Sequence, residues 1–240
     1  MSPQLGLPLG WRDGGHYEDF HAGDSNAATL TQLRQILAQE QQAVLLHGPT
    51  AAGKTHLLLA AQSASAGARY LGLRRPLAQA VGLLGVGGDE RLLCLDDIDA
   101  HLGAREFEIA LFDRFNRQRD QAGSVLMSAC SRPLATAFSL PDLASRVLGA
   151  TALALQPLDE AELEQAWTMR ARLRGLDPDA AAVRWLLRHQ RRDFRSLMQA
   201  LDRLDETALA AQRRLSLPFV RQCLGEPANV DPIGSDPTAV

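Results

Sequence analysis

Gly48, Pro49, Thr50, Ala51, Ala52, Gly53, Lys54 and Thr55 spell G-x-x-x-x-G-K-[ST], the Walker A spacing that suits phosphate binding. Glycines let backbone N–H groups turn inward around phosphate oxygens, and a helix opening at the lysine presents its positive end to the anion. Lys54 would reach the outer phosphates, and the Thr55 hydroxyl would take a place on Mg²⁺. His56 follows directly and joins the candidate cofactor contacts. In Leu92-Leu93-Cys94-Leu95-Asp96-Asp97, four apolar residues deliver carboxylates to one end, the edge where open α/β sheets place their ligands. Asp96 is the expected Mg²⁺ partner beside Thr55. Asp97 is the candidate for orienting an attacking water, although its side chain is shorter than the Glu often found there. Together the two motifs imply a nucleotide with Mg²⁺, and the short Asp97 argues against strong intrinsic hydrolysis.

Such residues need a sheet to hold them, and the apolar pattern supplies one. Leu30, Leu33, Ile36 and Leu37 recur at helical spacing between Asn26 and Gln39, and the apolar run Ala43–His47 then leads straight into the Gly-rich turn,. A helix opens at Lys54. Further strands are expected at Arg69–Leu73, Arg91–Leu95, Ser124–Ser128 and Thr151–Leu155, with Glu106–Arg119 the clearest of the helices between them. This alternation predicts an α/β fold with a five-stranded parallel sheet covered on both faces. After Pro157 the strand signals stop. Asp159–Arg172, Asp179–Arg188, Arg192–Ala210 and Leu217–Leu224 read as helices of a small all-α domain,. The predicted organisation is an exposed arm over 1–15, an α/β domain over 16–157, a helical lid over 158–224 and a tail over 225–240. The tail is too poor in apolar residues to offset its ordering entropy and is expected to be disordered.

The bulk numbers narrow the class. With 25 Lys and Arg against 28 Asp and Glu, the net charge is −3, which lacks the basic excess of a protein that holds duplex DNA mainly through its phosphates. Cys94, Cys130 and Cys223 are odd in number and far apart, which argues against a disulfide framework or a zinc site and for a reducing compartment. The histidines at 16, 21, 47, 56, 101 and 189 have no metal-ligand spacing,. No leader pattern and no apolar run of membrane-spanning length is present, so a cytoplasmic protein is expected.

Several segments resemble the DnaA branch of the AAA+ proteins. Tyr17-Glu-Asp-Phe20-His-Ala-Gly23-Asp-Ser-Asn26 is similar to the stretch that precedes the phosphate loop there and helps form the adenine pocket, which places Phe20 among the cofactor contacts. Asp142-Leu-Ala-Ser-Arg146 resembles the segment that carries the arginine finger. Arg192-Asp-Phe-Arg195-Ser-Leu resembles the sensor 2 helix, whose arginine, here Arg195, lies near the phosphates. Where that branch commonly shows Asp before Arg-Pro, this chain has Ser131-Arg132-Pro133. The sensor 1 role is therefore open between Ser131 and Ser128.

Two features narrow the resemblance to the Hda family of DnaA regulatory inactivators. The chain stops after the helical lid, where DnaA continues into a DNA-reading helix-turn-helix domain, so no sequence-specific duplex reading is expected. The other is Gln4-Leu5-Gly6-Leu7-Pro8-Leu9, similar to the arm with which that family docks on the sliding clamp of the replicative polymerase. Gln4, Leu5, Leu7, Pro8 and Leu9 would enter an apolar groove as an extended segment. Without the AAA+ body behind it, the arm would read as a disordered start. The resemblance implies a clamp-bound, nucleotide-loaded protein that stimulates hydrolysis of ATP on DnaA, with Arg146 reaching into the partner's site, and leaves self-association open. For Arg146 the bland alternative is a surface pair with Asp142 one turn away. Two other function classes stay open: an ATP-driven helicase loader or remodeller, and a passive clamp-binding adaptor.

Overall fold

A computed structural model of the protein describes residues 15–190, 194–211 and 214–225. The chain divides into two compact units, Met1–Glu162 and Leu163–Val240.

In the first unit a 3-10 turn at Tyr17–Asp19 leads into α1 (Gly23–Leu37), β1 (Ala43–His47), α2 (Lys54–Ala64), β2 (Ala68–Gly72), α3 (Leu77–Gly85) and β3 (Leu92–Asp96). There follow α4 (Arg105–Asp120), β4 (Ser124–Ala129), α5 (Pro141–Leu148) and β5 (Thr151–Ala154), and α6 (Glu160–Leu173) begins at the end of the unit. The five strands are parallel, in the order β2-β3-β4-β1-β5. Side chains alternate across a strand, and here both faces are covered. Leu93 and Leu95 of β3 join Phe107, Leu111 and Leu143 from α4 and α5, whereas Leu92 and Cys94 join Leu33, Leu57 and Leu58 from α1 and α2. That double burial is why the strands read as unbroken apolar runs rather than as alternating ones.

α3 is an element that hydrophobic periodicity does not single out. Gly82 stands inside it and Gly85 closes it, and glycine lowers the helical signal of a short segment. The remaining bounds lie within three residues of the expected ones, and β1 and the helix Leu217–Leu224 stand where their apolar patterns placed them.

α6 starts with reciprocal bonds between Asp159 and Glu162: the Glu162 N–H donates to Asp159 Oδ1 at 2.8 Å and the Asp159 N–H to Glu162 Oε2 at 3.0 Å, a capping box. The second Glu162 oxygen accepts the Asp24 N–H of α1 at 3.0 Å.

In the second unit the remainder of α6 is followed by α7 (Ala180–His189), α8 (Phe194–Ala211) and α9 (Leu217–Leu224). Trp167, Leu186, Leu197, Leu201, Phe219 and Val220 form its separate core. The Trp167 indole, fully buried, donates to the Leu197 carbonyl at 3.1 Å, which satisfies its one polar atom. No helix among the described residues is long and apolar enough to cross a membrane.

Asn26 ties α1 to the chain beyond β5. Its amide donates to the Gln156 carbonyl at 3.0 Å and accepts the Gln156 N–H at 2.8 Å, with the side chain fully buried. Asn26→Ala would leave both backbone groups without partners, so a loss of about 2 kcal/mol is expected, read as a lower urea midpoint with unchanged slope.

Candidate functional site

β1 delivers the chain to the Gly-rich turn at the C-terminal edge of the sheet. The Gly48 N–H donates to the Ala129 carbonyl at 3.3 Å, and a Cβ on Gly48 would run into the Leu155 carbonyl oxygen. Only a residue without a side chain fits there. Gly53 has φ +91°, and Ala51, unusually for a residue with a side chain, has φ 67°. Positive φ at such positions turns consecutive N–H groups to one side, which builds an anion-binding concavity. α2 opens at Lys54 with no side-chain cap, so its first N–H groups are directed at the loop. Lys54 is 6% exposed, and its ammonium spans the loop, donating to the Gly48 carbonyl at 2.6 Å and to the Pro49 carbonyl at 2.8 Å.

Phe20 lies against the turn, since a Cβ on Gly53 would stand 2.6 Å from its ring. The Phe20 and His56 rings are 5.5 Å apart, and His56 Nε2 is 3.1 Å from the His16 carbonyl. His56 is buried. The residues before α1 are thus fastened onto α2, and Phe20 forms a side wall beside the turn.

At the end of β3 the Asp96 carboxylate is 4% exposed and accepts three hydroxyls. Thr55 Oγ1 and the Tyr70 hydroxyl each donate to Oδ2 at 2.7 Å, and Ser128 donates to Oδ1. Ser128 Oγ also accepts the Asp97 N–H at 2.8 Å. Of the two serines left open by the sequence, Ser128 is fully buried on the Asp carboxylate, whereas Ser131 is exposed. Tyr70 escaped the sequence reading. A tyrosine inside a buried parallel strand needs a partner for its hydroxyl, and that was the available signal, but the partner becomes visible only once β2 is known to lie beside β3.

Asp97 turns away from Asp96 through a left-handed backbone, φ 59° and ψ 53°. Its carboxylate accepts Arg74 Nε at 2.9 Å, a second residue that sequence reasoning missed. Asp99 Oδ2 accepts the Cys130 N–H at 2.8 Å. Asp97, Asp99 and Cys130 bring potential metal ligands within 4.8 Å of one another. The Arg74 guanidinium already lies on this group, against Asp97 and 3.6 Å from the Cys130 sulfur, which supplies the positive charge there. All three cysteines are free.

Arg146 stands in the last turn of α5, partly exposed. Its side chain makes no hydrogen bond or ion pair among the described residues, and Asp142 is not its partner. Arg195 lies in α8, but its side chain is outside the described residues, as are Gln4, Leu5, Leu7, Pro8 and Leu9 of the arm.

Residues 159–224 match the family model of the Hda lid domain. The fold is that of domain III of the Thermotoga maritima replication initiation protein DnaA, with a TM-score of 0.73 at 15% identity over 90% of this chain and 98% of that one. The segment 159–224 is thus similar to the lid of Hda, and the chain as a whole has the fold of a DnaA domain III. Similar too are AMPPCP-bound DnaA from Aquifex aeolicus, TM-score 0.65 at 17% identity over 79% of this chain and 64% of that one, and the Thermotoga maritima RuvB Holliday junction branch migration motor, TM-score 0.60 at 21% identity over 84% and 68%. At these identities the likeness is one of fold. In the α/β unit, the side-chain-free position at Gly48, the uncapped start of α2 and the Thr55–Asp96 pair fit a phosphate chain with Mg²⁺.

The hydroxyl clamp has a spectroscopic consequence. Burial first, then the charge of Asp96 and the hydrogen bond to it, push the Tyr70 phenol well above its ordinary value of 10.0. Burial, together with Cys94, pushes Tyr17 up to about 12 against the opposing Arg34. Both tyrosines of the chain are therefore expected to stay protonated in the folded state at pH 10.5 and to ionise in urea. Because the folded state holds these protons more tightly, the stability they contribute is complete below pH 10.0 and declines as the pH rises through the folded values,. Alkaline titration at 295 nm of the native protein and of Tyr70→Phe checks this: the native phenolate signal should appear late and lose its last phase in the variant.

Proposed function

We propose that this chain is a negative regulator of DNA replication initiation, holding adenine nucleotide itself and stimulating hydrolysis of the ATP carried by DnaA. The reading is supported most by Arg146, a guanidinium on a surface helix without a partner among the described residues. The Hda lid match and the DnaA-like fold point to the same biology.

In the chain's own site, Gly48–Thr55 and the first turn of α2 hold the phosphates, Lys54 neutralises them, and Phe20 and His56 flank the nucleotide. Thr55 and Asp96 hold Mg²⁺, which when bound offsets phosphate charge. Asp97, engaged by Arg74, is poorly placed to orient a water, and this favours service to another protein's nucleotide over a self-contained motor. The Gln4–Leu9 arm tethers the chain to the replicative sliding clamp, and Arg146 then stabilises charge that develops on the phosphoryl group transferred in DnaA. The product is DnaA–ADP, which is inactive for initiation.

The test is single-turnover hydrolysis of DnaA-bound ATP on clamp-loaded DNA. Arg146→Ala is expected to lower the stimulated rate by about 10³-fold or more while leaving nucleotide and clamp binding unchanged, because a finger acts only in the transition state. Arg146→Lys should restore little, since a point charge lacks the planar fork. Full stimulation by Arg146→Ala would refute the in-trans role and leave the adaptor reading.

A further inference from the structure

Glu108 lies in the first turn of α4 with its side chain fully buried. Its carboxylate accepts four hydrogen bonds. Oε1 takes the Gly103 N–H at 2.7 Å and the Ser139 N–H at 3.0 Å, and Oε2 takes the Ser139 hydroxyl at 2.9 Å and the Leu140 N–H at 2.6 Å. Burial disfavours the charge, but these bonds outweigh it and hold the carboxyl below its ordinary value. The donors come from two separate segments. Gly103 ends the turn that descends from Asp96 and Asp97, and Ser139 and Leu140 are the last residues before α5.

α5 has eight residues, starts at Pro141 and has no side-chain cap of its own, so its local sequence does little to fix its direction. Leu143 and Val147 seat one face in the core with Phe107 and Leu111. Such apolar contacts are non-directional. The directional contacts at its start are those to Glu108. A buried carboxylate is an expensive way to fill a slot that an apolar side chain could fill with equal or better stability. What it supplies here is geometry.

We propose that Glu108 is a positioning residue for Arg146, setting the direction of α5 and linking it to the turn that follows Asp96 and Asp97. The inference rests on the in-trans role of Arg146. From Leu140 to Arg146 the helix rises about 9 Å, so a tilt of roughly 10° at its start carries the Arg146 backbone some 1.5 Å sideways. Displacements of about 1 Å lower rates by as much as a hundredfold.

Glu108→Gln keeps one carbonyl oxygen but sets an amide N–H₂ against the donors of Ser139 and Leu140. It is expected to lower the maximal rate of stimulated DnaA–ATP hydrolysis about ten- to a hundredfold, with the half-saturating concentration and ADP affinity of the chain unchanged. Amide hydrogen exchange should rise at 139–146 and stay as in wild type across β1, β3 and β4. Ser139→Ala, which removes one of the four bonds and keeps the backbone donors, should shift the same quantities in the same direction by less than tenfold. With Arg146→Ala inactive, a Glu108→Gln protein that stimulates like wild type overturns the positioning role while the finger reading stands. Loss of ADP affinity or faster exchange throughout the sheet in both Glu108→Gln and Ser139→Ala also overturns it, in favour of general support of the fold. A fully active Arg146→Ala overturns the finger reading, and the positioning role with it.

Discussion

The Asp96 carboxylate is where the α/β unit is tied together. Its two oxygens accept hydroxyls from α2, β2 and β4, so the strand that carries it, the strands on either side and the helix behind the phosphate loop share one anion. A buried charge of this kind is tolerated because it is hydrogen-bonded from several directions. Moving any of the three donors leaves part of the charge unsatisfied. The loop is consequently built onto a rigid edge: Lys54 and Thr55 are adjacent in sequence, one spanning the loop through its carbonyls and the other on Asp96.

Asp97 has a different fate from its neighbour. A left-handed backbone separates the two carboxylates and gives Asp97 to Arg74. That pair is largely exposed on the Arg74 side, and its contribution to stability is small, but it decides where the carboxylate points. Arg146 has no such engagement among the described residues. Within one unit, then, the Asp97 carboxylate is paired with a guanidinium, while the Arg146 guanidinium has no partner among the described residues.

The Gly-rich turn before α2 and the strand ending at Asp96 were legible in the sequence because each is local: a glycine spacing, an apolar run and a carboxylate at its end. β1 and α9 stand where their apolar patterns placed them. α3 was obscured by glycine, which weakens the helical pattern without preventing a buried helix,. Tyr70, Arg74 and Glu108 were not legible. Each acts through a residue 23 to 32 positions away, and their pairings follow from the strand order β2-β3-β4-β1-β5, which periodicity does not encode. Ser128 was named only as one of two candidates, because the strand pattern shows that it ends near the site but not that it faces Asp96.

The central claim, that Gly48–Thr55 seats the phosphates of an adenine nucleotide against Lys54, is tested most directly by calorimetric titration of ADP with Mg²⁺ into wild type and Lys54→Ala. Removing the ammonium is predicted to weaken binding by about a hundredfold, equivalent to roughly 2.7 kcal/mol, with the fold unchanged by circular dichroism. Equal affinity in the two proteins would contradict it.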